Sequence, residues 1–176
     1  KPVTKIAQFD LREEQIQAVS SILYNKVENI PFHIGVIDYT VNAGKTAVMV
    51  ALYLSFKRKL KTLLITNDSD WLNQAKREFK DYRPGEDITF VQGSKVDNWS
   101  NFSIAGSKSY QTVLTHLYNT RVRIGLSGTI YMSKLVRDKL KNMNLRAFFG
   151  DIIAQFKLSE SIKKGYSTDT VVKMVD

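Results

Sequence analysis

The stretch Val36, Ile37, Asp38, Tyr39, Thr40, Val41, Asn42, Ala43, Gly44, Lys45, Thr46, Ala47 constrains this chain more than any other. An apolar run rich in β-branched residues passes through a loop of small residues into residues 46–56, which are apolar on nearly every side. That order predicts a buried strand, a tight turn and a helix buried under the sheet. In such a setting the amides of the loop and of the helix N-terminus can cradle a phosphate. The Lys45 ammonium can bridge the β and γ oxygens of a nucleoside triphosphate, and the Thr46 hydroxyl can ligate magnesium. This is the context of a P-loop, with Lys45 and Thr46 as its chemical residues. The usual first glycine, five places before Gly44, is replaced by Tyr39. A chance Gly-Lys-Thr tripeptide at a helix N-terminus is the bland alternative.

Further β-branched runs at 62–66, 88–91, 102–104 and 122–126 alternate with helix-like stretches. Together with 34–37 they predict an α/β fold, a largely parallel sheet with helices on both faces. The first helix is expected to start with Asp10 as cap and Glu13 reaching back, and to bury Ile16, Val19, Ile22 and Leu23. Residues 70–82 read as an amphipathic helix. Residues 158–176 read as a short helical stretch and a strand-like run at 170–175. At 176 residues the chain suits one domain.

Cysteine is absent, which excludes disulfides and thiolate-held zinc, and only His33 and His116 remain as imidazole ligands. No apolar run approaches the roughly eighteen residues that would span a bilayer, so a cytoplasmic protein without membrane contact is expected. Twenty-six Lys and Arg against seventeen Asp and Glu give a charge of +9, an imbalance that attracts polyanions, nucleic acid first among them.

Taken in order, the motifs resemble those of the superfamily 2 helicases and translocases, more narrowly the phage recombination and repair DNA helicases. Phe9, Asp10, Leu11, Arg12 and Gln15 resemble the Leu-Arg-x-x-Gln element, in which Gln15 would contact adenine. Thr40, Val41, Asn42, Ala43, Gly44, Lys45 and Thr46 resemble motif I. Leu63 to Asn67 resembles motif Ia, with Thr66 and Asn67 as candidate contacts to the DNA backbone. Arg123 to Thr129 resembles motif III, with Ser127 and Thr129 as coupling hydroxyls. The resemblance implies a RecA-like P-loop NTPase domain that uses ATP and Mg²⁺, binds DNA more readily than RNA, and works with a second RecA-like domain. Residues 148–153 and then Lys164, Gly165 and Tyr166 resemble the end of such a first motor domain.

Motif II, an Asp-Glu pair that holds magnesium and positions the attacking water, is absent from the expected interval. The join between about Asn101 and Ser107 reads as a splice, so a few tens of residues are expected to be missing there. Because the motif II strand is expected beside the P-loop strand, its true loss would open the core. The alternatives are an inactive nucleic-acid-binding module that retains the P-loop fold, and another P-loop enzyme such as a kinase or small-molecule ATPase. Lys57, Arg58, Lys59, Lys61, Lys76, Arg77, Lys80 and Arg83 are candidates for a DNA-facing surface. Trp71, Trp99 and the two histidines are expected to be structural.

Overall fold

The computed structural model describes residues 1–24, 33–56, 61–66, 69–81, 88–92, 119–127, 143 and 146–168. Asn67, Thr129, His116, Trp99, Arg83, the cations at 57–59, the join at 101–107 and the runs at 102–104 and 170–175 lie outside them. In chain order the elements are β1 (Lys5–Ile6), β2 (Phe9–Asp10), α1 (Glu13–Tyr24), β3 (His33–Tyr39), α2 (Lys45–Ser55), β4 (Thr62–Thr66) and α3 (Ser69–Asp81). After these come β5 (Ile88–Gln92), β6 (Val122–Ser127), β7 (Ile152–Phe156) and α4 (Leu158–Lys163).

β3 is the middle strand of a three-stranded sheet of order β6-β3-β7, parallel to both neighbours. β4 and β5 form a separate parallel pair, and β1 and β2 a short antiparallel one. Parallel neighbours need crossovers and covered faces, and the helices supply both. Ile37 and Tyr39 of β3 enter one core with Ala18, Val19 and Ile22 of α1 and Val48, Ala51 and Leu52 of α2. On the opposite face Val36 lies near Phe149, which belongs to the helical residues 146–149. The fold is thus the expected α/β, RecA-like arrangement of a parallel sheet flanked by helices. Gly35 is required by the packing beside β7, because a Cβ there would lie 2.5 Å from the Ile153 side chain.

One local expectation is corrected. Asp10 does not cap α1: it is paired in β2 with Lys5, to which it also forms an exposed ion pair at 3.5 Å. The cap is Arg12, whose amide donates to Gln15 Oε1 at 3.0 Å while its carbonyl accepts from the amides of Gln15 and Ile16. The reaching residue of the capping box is therefore Gln15, two positions later than predicted. The buried stripe consequently carries Glu14 and Gln15 as well as Ala18, Val19 and Ile22, whereas Ile16 and Leu23 are only partly buried.

A strand has two hydrogen-bonding edges, and those of β3 are taken by β6 and β7. Residues 152–156, which overlap the run 148–153 read from sequence as part of the end of a first motor domain, are one of those neighbours. A register shift falls between Val36 and Ile37, where Val36 pairs with Ile152 but Ile37 with Ala154.

α3 follows its amphipathic pattern. Leu72, Ala75 and Phe79 are buried, while Lys76, Arg77 and Lys80 are exposed on the other side. Phe79 meets Tyr53 of α2 and Phe90 of β5 edge-on, with ring centroids 6.1 and 5.8 Å apart. Trp71 packs against the same core, as expected of a structural residue. His33 opens β3, paired in register with Val122.

Candidate nucleotide-binding site

β3 ends at Tyr39 and the chain turns through Thr40–Gly44 into α2. Two loop residues adopt left-handed backbone conformations, Asn42 at φ 64° and Gly44 at φ 76°. Asparagine tolerates that region better than most residues, and glycine enters it without steric cost. Gly44 has a second reason to lack a side chain, since a Cβ there would lie 2.3 Å from Gln15 Nε2 and 3.1 Å from an Arg12 guanidinium nitrogen. The loop is held at its start by the Thr40 amide, which donates to the Phe156 carbonyl of β7 at 3.0 Å. Within it the Ala43 amide donates to the Thr40 carbonyl at 3.3 Å.

Lys45 opens α2 and folds back over this loop. Its Nζ donates to the carbonyls of Tyr39 at 3.0 Å and Thr40 at 2.9 Å. Burial pushes the ammonium below its usual pKa, and the nearby Asp38 carboxylate opposes that shift. Thr46 is the next residue of the helix and is buried. The first-turn amides of α2 have no carbonyl partner within the helix, and they carry the positive end of its dipole. Half-buried cation, outward amides and a glycine-shaped backbone together suit a phosphate chain.

Tyr39, the departure from the usual loop pattern, is accommodated because its ring points away from the loop. It is buried 5.7 Å from Phe156, and its hydroxyl donates to the Glu14 carbonyl. Only its backbone carbonyl faces Lys45. Burial and the Glu14 charge raise the Tyr39 phenol to about 12.

The predicted Arg12 and Gln15 are brought directly against the loop. Gln15 is buried, and Nε2 donates to the Ala43 carbonyl at 3.2 Å while Oε1 accepts the Arg12 amide. A primary amide carries two hydrogens and two lone pairs, so one of each is left for another partner. Arg12 reaches the Asn42 carbonyl at 3.4 Å. Ser127 ends β6 in register with Asp38, on the strand flanking the loop's own. Thr66 ends β4 in the separate two-stranded sheet.

Several residues at the site are not among those the sequence assigns to it. Glu14 is buried on α1, and its carboxylate pairs with Arg12 Nε at 3.1 Å and Lys164 Nζ at 2.9 Å. Tyr166 lies under the Arg12 guanidinium, 4.2 Å from its ring centroid. Asp38 accepts from Gln155 Nε2 at 2.8 Å across the β3–β7 pair. Only the topology joins these positions. No cluster of three or more acidic or histidine side chains suited to a metal ion occurs among the described residues. Within the P-loop itself, Thr46 is the side chain with an oxygen placed by sequence to meet a cation held mainly by phosphates and water.

No helix among the described residues is long and apolar enough to cross a membrane. No curated protein matches the chain. The family profile described as type III restriction enzyme, res subunit, matches residues 8–104, more than half of the chain, covering the Arg12–Gln15 element, the P-loop, β4, α3 and β5. That family is not the phage recombination and repair type which the motifs resemble more narrowly. The chain belongs to the family of the type III restriction enzyme res subunit and carries its helicase-type P-loop domain, a superfamily 2 motor domain with RecA-like architecture.

Proposed function

We propose that the chain is the ATP-binding first motor domain of an ATP-dependent DNA helicase or translocase. The observation that carries this is the loop after β3, where Lys45 sits over carbonyls at the mouth of a glycine-shaped turn opening the buried helix α2. On nucleotide entry Lys45 exchanges these carbonyls for β and γ phosphate oxygens, and the α2 amides donate to the phosphate chain. Thr46 would hold Mg²⁺, which supplies charge neutralisation on the phosphates when bound. Gln15 keeps one N–H and one lone pair for the adenine edge.

Nucleic acid is favoured as partner by the +9 charge, with Lys76, Arg77 and Lys80 exposed along one side of α3, and DNA over RNA by the motif resemblance. Thr66, Asn67, Ser127 and Thr129 are proposed to contact or couple to it. The second RecA-like domain is proposed on the motif resemblance, and a cytoplasmic setting on composition. A second reading, an inactive nucleic-acid-binding module, is favoured by one observation: no Asp-Glu pair occurs anywhere in the sequence.

A tryptic mass map separates the two. The sequence requires the peptide from Val96 to Lys108, which has no internal Lys or Arg. The motor reading expects a longer product carrying an Asp-Glu pair between Asn101 and Ser107, and then DNA-stimulated ATPase in a full-length protein with both motor domains, which Lys45→Ala abolishes. The peptide at its calculated mass would leave the inactive module.

A further inference from the structure

The turn after α4 returns to Arg12 and Glu14, beside the nucleotide loop. Lys164 and Tyr166 lie more than 150 positions from Arg12 in sequence, yet Tyr166 packs under its guanidinium and Lys164 shares its partner Glu14. Arg12 is bounded by the Glu14 carboxylate at 3.1 Å, the Tyr166 ring at 4.2 Å and the Asn42 carbonyl at 3.4 Å. The same guanidinium lies beside the place where Gly44 has no side chain.

Glu14 is 4% exposed, and a carboxylate buried this far must be matched by charge. Arg12 supplies one partner and Lys164 the other, the latter through a 2.9 Å hydrogen bond. The turn presenting Lys164 and Tyr166 is itself fixed. The Tyr166 amide donates to the Ser161 carbonyl at 2.9 Å, the Ser161 and Ser167 hydroxyls are 2.8 Å apart, and Tyr166 packs 6.4 Å from Phe156. At the far end of this chain of contacts, Asn42 holds a positive φ, a conformation that persists where its surroundings enforce it.

We propose that Tyr166 and Lys164 are positioning residues for the nucleotide site. They hold the Arg12 guanidinium, and through it the Asn42–Gly44 turn, in the shape that accepts a polyphosphate. This inference rests on the nucleotide reading of the P-loop and adds to it a part from the chain beyond β7. Tyr166 acts through its ring face and Lys164 through its charge on Glu14.

The test is equilibrium binding of Mg²⁺ and N-methylanthraniloyl-ADP to the whole chain by fluorescence polarisation, with a melting curve for each variant. Tyr166→Leu is expected to weaken binding about two- to fivefold, the range that an exposed cation–π contact supports, with the protein still folded at the assay temperature. Tyr166→Phe keeps the ring and is expected to restore wild-type affinity. In an Arg12→Ala background Tyr166→Leu is expected to have no further effect, because its route to the loop is gone. Lys164→Met is expected to weaken binding, and Lys164→Arg to recover most of it. A Tyr166→Leu protein that melts lower but binds with wild-type affinity would overturn the inference, as would losses that add in the double variant. Lys45→Ala separates the two levels. Binding abolished there but intact in Tyr166→Leu removes the positioning role alone, whereas no binding by the wild-type chain removes the nucleotide reading and this inference with it.

Discussion

Replacing Gly44 with alanine perturbs the loop in two independent ways. The residue sits at φ 76°, where a Cβ costs about 1–2 kcal/mol. The new Cβ would also lie 2.3 Å from Gln15 Nε2, closer than packed atoms come. Gln15 is not a loose surface chain that can swing aside: it is buried and bonded to both the Ala43 carbonyl and the Arg12 amide. Displacing it forfeits two hydrogen bonds at about 0.5–1.5 kcal/mol each. The sum is about 2–5 kcal/mol, a substantial part of the 5–15 kcal/mol or so that holds a domain together. For a chain of this size that corresponds to a melting point lower by about 5–15 °C. Differential scanning fluorimetry of Gly44→Ala, Gln15→Ala and the double variant checks it. In the double variant the overlap is relieved, so Gly44→Ala is expected to cost only the backbone component, about 1–2 kcal/mol. A single Gly44→Ala variant that melts like the wild type, or fully additive losses in the double variant, would refute the reasoning.

Further outcomes are expected from the same contacts. Phe79→Ala removes a buried ring that ties α2, α3 and β5 together, and should cost about 3–5 kcal/mol in urea unfolding without altering the P-loop. The Tyr39 phenol is raised to about 12, so the unfolded chain loses this proton first as pH rises. Its contribution is complete below about pH 10 and is lost between pH 10 and 12. Tyr39→Phe should therefore show a shallower fall of stability across that window than the wild type, and parallel curves would argue against a buried, neutral phenol. Gln15→Ala should lower the melting point and reduce the preference for ATP over GTP in competition binding. A variant that melts lower while keeping full base preference would leave Gln15 as a loop brace alone.

Much of the fold was legible because local and global signals agree in it. The run at 62–66 is a strand with those bounds, and the periodicity around Leu72, Ala75 and Phe79 placed α3 correctly. β3, the loop and α2 followed from an apolar strand, small residues and an all-apolar helix. The start of α1 was misread because Asp10 and Glu13 offer an equally good local capping pattern. The pairing of β1 with β2 removes Asp10 from competition, and no local pattern shows that pairing. Strand neighbours carry no local signal for a similar reason, since the pairing of residues 152–156 with β3 spans more than a hundred positions. At the site, the phosphate-facing residues lie in one continuous segment and could be found. Glu14, Tyr166, Lys164 and the Asp38–Gln155 pair are joined only by tertiary contact, and nothing local ties them to the nucleotide loop. Tyr39 stood out as a departure, and what excuses it is the direction of its side chain, a property of the fold.

The central claim is that the turn from Thr40 to Thr46 binds the phosphates of a nucleotide. Isothermal titration of Mg²⁺-ATP into the wild-type chain and into Lys45→Ala tests it most directly. Saturable binding at one site, lost in Lys45→Ala while the variant melts within a few degrees of the wild type, is the predicted result. Equal heats for the two proteins, or no heat from the wild type, would contradict it.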